Sequence, residues 1–165
     1  MIIKDSMVLI HLAKLSILEK SCVYFKEAAI PELVYEEIIK GKERKFPEVP
    51  IIINLIKEKK ISVRKIKNKG LIKKANQFNI QGGEAEAIAL YWQEKAEVIA
   101  TDDDNVRKKK LLLEINIIGT PAIIIKLYKK KLIDKKKVEE CISGLRKIGW
   151  FSNVVLDQIN LEVEK

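Results

Sequence analysis

Apolar and polar positions along this chain follow two periods, and the pattern switches between them often. Ile2-Ile3 is a short apolar run. From about Ser6 to Leu18, the apolar positions Val8, Leu12, Leu15 and Leu18 fall at helical spacing. Ala28 to Ile30 is a second short strand candidate. Pro31 then opens a helix, where its missing N–H costs little because first-turn N–H groups lack intrahelical partners, and this helix runs toward Gly41. The pattern continues with a helix over Val49 to Lys59 and an alternating strand at Ile61-Ser62-Val63. Gly82-Gly83 precede a strong helix from Glu84 to about Lys95. Glu97 to Ala100 predicts a buried strand ending in Thr101-Asp102, followed by a helix to Glu114, a strand at Ile115 to Ile118, and Gly119. From Pro121 onward the pattern is helical, with breaks near Ile133-Asp134 and Gly149.

Short strands alternating with helices imply an α/β fold in which a parallel sheet is covered on both faces. In such sheets ligands collect at the carboxyl ends of the strands, where strand order reverses. A length of 165 residues suits one domain, expected here as a core over about 1–119 and a helical C-terminal extension over about 120–165. No repeat or Gly/Ser linker interrupts it. The longest apolar stretches, Pro50 to Ile53 and Thr120 to Ile125, fall far short of the ~20 residues that span a bilayer. The amino terminus lacks the features of a secretory signal, so the expected location is the cytoplasm.

Two strand candidates end in aspartate, at Asp5 and Asp102, and each leads into a helix. Aspartate at such a junction is a good helix cap. Two at equivalent places, one of them trailed by Asp103 and Asp104, also suggest a shared site, because neighbouring carboxylates repel and a cation would relieve that repulsion. Helix phase at 100° per residue sharpens the search. With Leu33, Val34, Tyr35, Ile38 and Ile39 defining an apolar arc, Glu36 faces water and Glu37 falls inside the arc. An inward carboxylate is costly without a partner. On the next acidic helix, Ala85, Ile88, Ala89 and Trp92 form the buried stripe, Glu84 lies on its flank and Glu86 points away alongside Gln93. Glu84 in a first turn also complements the helix dipole.

These segments, in this order, resemble the PIN-domain family, and its compact bacterial and archaeal members most of all. The matching stretches are IIKDSMVLIHLAKL, AAIPELVYEEII, QGGEAEAIALYW and VIATDDDNVRKK, with the tail IIGTPAIIIKLYKKKLI and VEECISGLRKIGWFSNVVLDQI similar to a subgroup. The resemblance implies a three-layer α/β/α sandwich on a mostly parallel sheet of four or five short strands. It also implies a nuclease that takes Mg²⁺ or Mn²⁺. Carried over by position, the metal-binding and catalytic acids are Asp5, Glu37, Glu84 and Asp102, with Asp103 an auxiliary metal ligand. Ser6, Thr101 and Arg107 fall at substrate-side positions, and Arg107 is expected to pair with Asp103 or to touch a phosphate. Gln81 departs from the pattern, since close relatives often carry an acid there. The resemblance further implies an RNA substrate, a homodimer, and a toxin held inactive by a small antitoxin protein.

Oxygen-rich sites of this kind suit hard cations such as Mg²⁺. Replacing Asp5 or Asp102 by asparagine is expected to abolish cleavage and leave the fold intact. The alternative is a catalytically inactive module of the same fold that binds RNA or protein. An aspartyl-phosphate phosphatase would need a second aspartate two residues after the nucleophile, where Met7 stands. Phosphate-binding glycine motifs are missing. His11, the only histidine, reads as a surface or packed residue, and its solitude argues against histidine-based hydrolysis. Cys22 and Cys141 are far apart, without a CxxC spacing, and read as reduced, partly buried thiols. The net charge of +9 attracts polyanions, although each lysine run taken alone is an ordinary solvated face.

Overall fold

The computed structural model describes residues 1–165. In chain order the elements are β1 (Ile2–Lys4), α1 (Ser6–Lys14), α2 (Leu18–Tyr24), β2 (Ala28–Pro31), α3 (Glu32–Glu43), α4 (Glu48–Lys57), β3 (Ile61–Arg64) and α5 (Lys69–Asn76). They continue with α6 (Gly82–Glu94), β4 (Val98–Ala100), α7 (Asp104–Lys108), α8 (Lys110–Leu113), β5 (Ile117–Ile118), α9 (Thr120–Lys129), α10 (Lys135–Ile148) and α11 (Asn153–Glu164). All five strands are parallel, in the order β3-β2-β1-β4-β5. The chain winds outward from β1 in one direction and then returns to wind outward on the other side. Strand order therefore reverses between β1 and β4, and their carboxyl ends diverge there into Asp5 and Asp102.

Strand alternation divides the interior into two layers. Ile2, Ala28, Ile30, Ile61, Ala100 and Ile118 face one side and join the larger apolar cluster, whereas Ile3, Ala29 and Ile99 face the other. The larger cluster includes Ile123, Ile124, Leu127, Cys141, Leu145 and Ile159 from the three C-terminal helices. The extension is thus part of the core, where it covers one face of the sheet. On the other face α6 is the central helix. Its small residues Gly83, Ala85, Ala87 and Ala89 are fully or nearly buried, which lets the sheet, α3 and α5 crowd against it.

The structure departs from the sequence expectations in four places. The helix expected over Ser6 to Leu18 stops at Lys14, and a second, unannounced helix starts at Leu18, with Ser16 in a left-handed backbone (φ 58°) between them. The helix expected up to Glu114 is interrupted at Lys109, and the strand expected from Ile115 is confined to Ile117–Ile118. Helix α5, which no apolar period announces, is lysine-rich and only eight residues long. So short a helix is marginal alone. It is held by the Asn68 cap on the Gly70 N–H (3.0 Å), by packing on α6, and by the Lys74 ammonium over the Trp92 ring (4.3 Å). Glu86, which helix phase sends into solvent, is half-buried with α3 and Lys69 of α5 beside it; burial raises its pKa. No helix is long and apolar enough to cross a membrane.

Candidate active site

Asp5 follows the last residue of β1 and caps α1, its Oδ1 accepting from the Val8 N–H at 2.8 Å. The carboxyl group is buried, and its second oxygen, Oδ2, has no hydrogen-bond partner. The Thr101 hydroxyl lies near enough to lower the Asp5 pKa, but it makes no well-formed hydrogen bond to Oδ2. Burial dominates, and with the charges of Asp102 and Glu84 it pushes the Asp5 pKa up to about 7. A carboxyl group with an orphaned, buried oxygen and two acidic neighbours lacks a positive partner.

Glu84 stands in the first turn of α6, half-buried, and burial together with the Asp103 and Glu37 charges raises its pKa. Glu37, half-buried on α3, lies against Gly83: a Cβ built on that glycine would collide with its carboxylate. Glu36 beside it is exposed, as helix phase requires. The electrostatic neighbours therefore run from Glu37 through Glu84 to Asp103, and from Glu84 through Asp5 to Asp102. All five sequence-derived acids lie at the carboxyl edge of the sheet around the β1/β4 reversal.

Gly83 is required by the bulk of Glu37 rather than by an unusual backbone angle. In Gly83→Ala the new methyl displaces the flexible Glu37 side chain. The expected outcome is a change in stability within about 1 kcal/mol. Urea unfolding would check this, and a loss of several kcal/mol would show that Glu37 cannot move aside.

Asp102 differs from Asp5. Its Oδ1 accepts from the Thr120 N–H at the start of α9 (2.7 Å), and its Oδ2 meets both the Thr120 hydroxyl (2.5 Å) and His11 Nδ1 (2.9 Å). Its backbone carbonyl accepts from the Trp150 indole N–H (3.2 Å). Three protein donors occupy most of the roughly four lone-pair positions of a carboxylate. His11 is 1% exposed and is flanked edge-on by Trp150 and Phe151, each with ring centroids at 5.7 Å. Sequence alone does not mark His11, Thr120 and Trp150 as site residues, because their partner lies 91, 18 and 48 positions away. The sequence leaves His11 either on the surface or packed, and the structure packs it.

The remaining candidates are placed as follows. Asp103 caps α7 through the Val106 N–H (2.9 Å), and its own N–H donates to the buried Thr101 hydroxyl (3.1 Å). Ser6 is half-exposed in the first turn of α1. Arg107 is exposed and forms no ion pair with Asp103, which corrects that expectation; its guanidinium lies beside Gly119.

The sequence that builds this site has a counterpart among known families. A family model described as DUF3368, a PIN domain, matches residues 1–164. The chain belongs to the PIN-domain family. Curated proteins and solved structures yield no match. PIN domains have a nuclease-type fold and typically use divalent metals.

The residues of this PIN domain fit such an ion in part. The orphaned Asp5 oxygen and the repelling carboxylates of Glu84, Asp103 and Glu37 supply hard donors that a cation would neutralise. No three His, Cys, Asp or Glu side chains are drawn together tightly enough to form a finished cage. Asp102 is already engaged by Thr120 and His11. A cavity of about 860 Å³ lies elsewhere: it opens at the amino ends of β1, β4 and β5 and contains none of these acids.

Proposed function

We propose that this PIN domain is a divalent-metal-dependent ribonuclease that hydrolyses RNA phosphodiester bonds. The observation carrying the proposal is the unpartnered, buried Oδ2 of Asp5, surrounded by acids where strand order reverses. Asp5 would be the principal holder of Mg²⁺ or Mn²⁺, with Glu84, Glu37 and Asp103 beside it and Asp102 contributing less because Thr120 and His11 engage it. A bound cation of this class supplies charge neutralisation at the phosphate and acidifies a coordinated water.

The chain's own residues do the rest. Thr120 and His11 fix the Asp102 carboxylate, the α1 N-terminus holds Asp5 in one rotamer, and Gly83 leaves room for Glu37. Arg107, free of a carboxylate partner, is available to a phosphate. Ser6, half-exposed at the start of α1, is open to the substrate backbone, whereas Thr101 is buried and holds the Asp103 N–H, so it positions the acids rather than touching substrate. The net charge of +9 favours encounter with a polyanion. By family resemblance, the protein acts as a homodimer in the cytoplasm and is the toxin of a toxin–antitoxin pair, restrained by a small antitoxin.

The test is cleavage of structured and unstructured RNA by purified protein with Mn²⁺, Mg²⁺ or EDTA. Metal-dependent cleavage, lost in Asp5→Asn, is expected. Cleavage that persists in EDTA and in the variant would reject the reading, and RNA binding without cleavage under any condition would favour the catalytically inactive module.

A further inference from the structure

Beside the acids lies a second feature that the nuclease reading does not use. A cavity of about 370 Å³ opens between α1, α3 and α4, and Glu37 lines it. Its walls include Lys14, Lys40, Arg44, Phe46 and Glu48. Glu48 is neutralised by Lys14 at 3.5 Å. Lys40 and Arg44 have no ion-pair partner and are exposed. Phe46 is 47% exposed.

An exposed phenylalanine gains nothing from water, and here its ring flanks Gly41, where any side chain would crowd it and Val49. An aromatic face next to two uncommitted cations is the combination that holds one nucleotide of a single strand: the ring stacks on the base and the cations take the flanking phosphates. A duplex cannot present an unstacked base to such a ring. The cavity shares Glu37 with the acidic cluster, so a strand whose scissile phosphate lies at the acids would continue directly into it.

We infer that this cavity is a subsite for an unpaired nucleotide of single-stranded RNA adjacent to the scissile phosphate, with Phe46 stacking on the base and Lys40 and Arg44 contacting the backbone. The inference rests on the ribonuclease reading above and deepens it by assigning residues outside the acids, Phe46, Lys40 and Arg44, to hold the substrate.

The test measures binding separately from cleavage. A fluorescently labelled, unstructured oligoribonucleotide is titrated onto the Asp5→Asn protein, in which turnover is blocked, and the measurement is repeated with Phe46→Leu, Phe46→Tyr and Arg44→Gln added. Phe46→Leu should weaken binding by roughly 5- to 150-fold, and Phe46→Tyr should restore it, which a merely apolar role would not do. Arg44→Gln should lower the slope of log affinity against log salt by about 0.7. A duplex of the same sequence should bind with no dependence on Phe46.

Equal affinity of the parent and Phe46→Leu overturns the subsite. So does displacement of the RNA by polyglutamate at matched charge, which would mark the groove as a site for acidic protein. If Phe46-dependent binding is found but the unmodified chain cleaves nothing, the nuclease reading fails and the RNA subsite stands. Cleavage with no effect of Phe46 does the reverse.

Discussion

Asp5→Asn should stabilise the metal-free protein above neutral pH while removing its cleavage activity. The Asp5 pKa is raised from 3.8 to about 7 in the folded chain, chiefly by burial. A group raised in this way contributes stability that is full below about pH 4 and is lost as pH rises through about 7. The contribution at stake is on the order of 4 kcal/mol, since a tenfold change in proton affinity corresponds to about 1.4 kcal/mol. Asparagine keeps the acceptor for the Val8 N–H and carries no charge, so the variant should not lose this contribution. Thermal unfolding in EDTA should therefore find parent and variant alike near pH 4 and the variant well ahead near pH 8. Mn²⁺ should then close the gap by stabilising the parent alone, as a ligand of the folded state does. A parent equally stable at both pH values in EDTA would show that the orphaned oxygen has a partner after all.

Asp102→Ala should move stability the opposite way. Removing this carboxylate strands the Thr120 N–H, the Thr120 hydroxyl and His11 in a buried junction. Unsatisfied buried groups of this kind cost about 3 kcal/mol together. The loss falls where α1, α9 and the α10–α11 connection meet, so Trp150 fluorescence should report unfolding at lower urea than in the parent. Two aspartates that look equivalent along the chain are thereby distinguished by sign, one destabilising as an anion and one holding the C-terminal helices. Equal destabilisation by both variants would show that they do the same structural work.

Much of the site is legible before folding because its signals are local. The strand-to-helix junctions at Asp5 and Asp102, and the misplaced Glu37 on an otherwise apolar arc, need only a period and a neighbour to be noticed. Glu86 escapes such a reading because phase on one helix takes no account of its neighbours, and here α3 and α5 lie on either side of it. His11 escapes it because its partner is 91 residues distant. Helical spacing alone would pair Arg107 with Asp103, yet Asp103 turns back to cap its own helix through the Val106 N–H. A cap bond to the nearest free N–H competes with a side-chain ion pair exposed to water, and here it wins.

Periodicity, and hydrogen-bonding needs within a few residues, are enough to dictate the alternation of short strands and helices. A parallel sheet and the strand-to-helix junctions at Asp5 and Asp102 follow from that alternation, whereas the strand order, and with it the reversal between β1 and β4, does not. Three other features emerge only on packing: the C-terminal helices complete the core, Asp102 is committed to Thr120 and His11 while Asp5 is left unpaired, and Phe46 and Arg44 border the cavity lined by Glu37. Such pairings depend on which surfaces meet across long chain separations, and no local pattern encodes the distance between two groups brought together by packing.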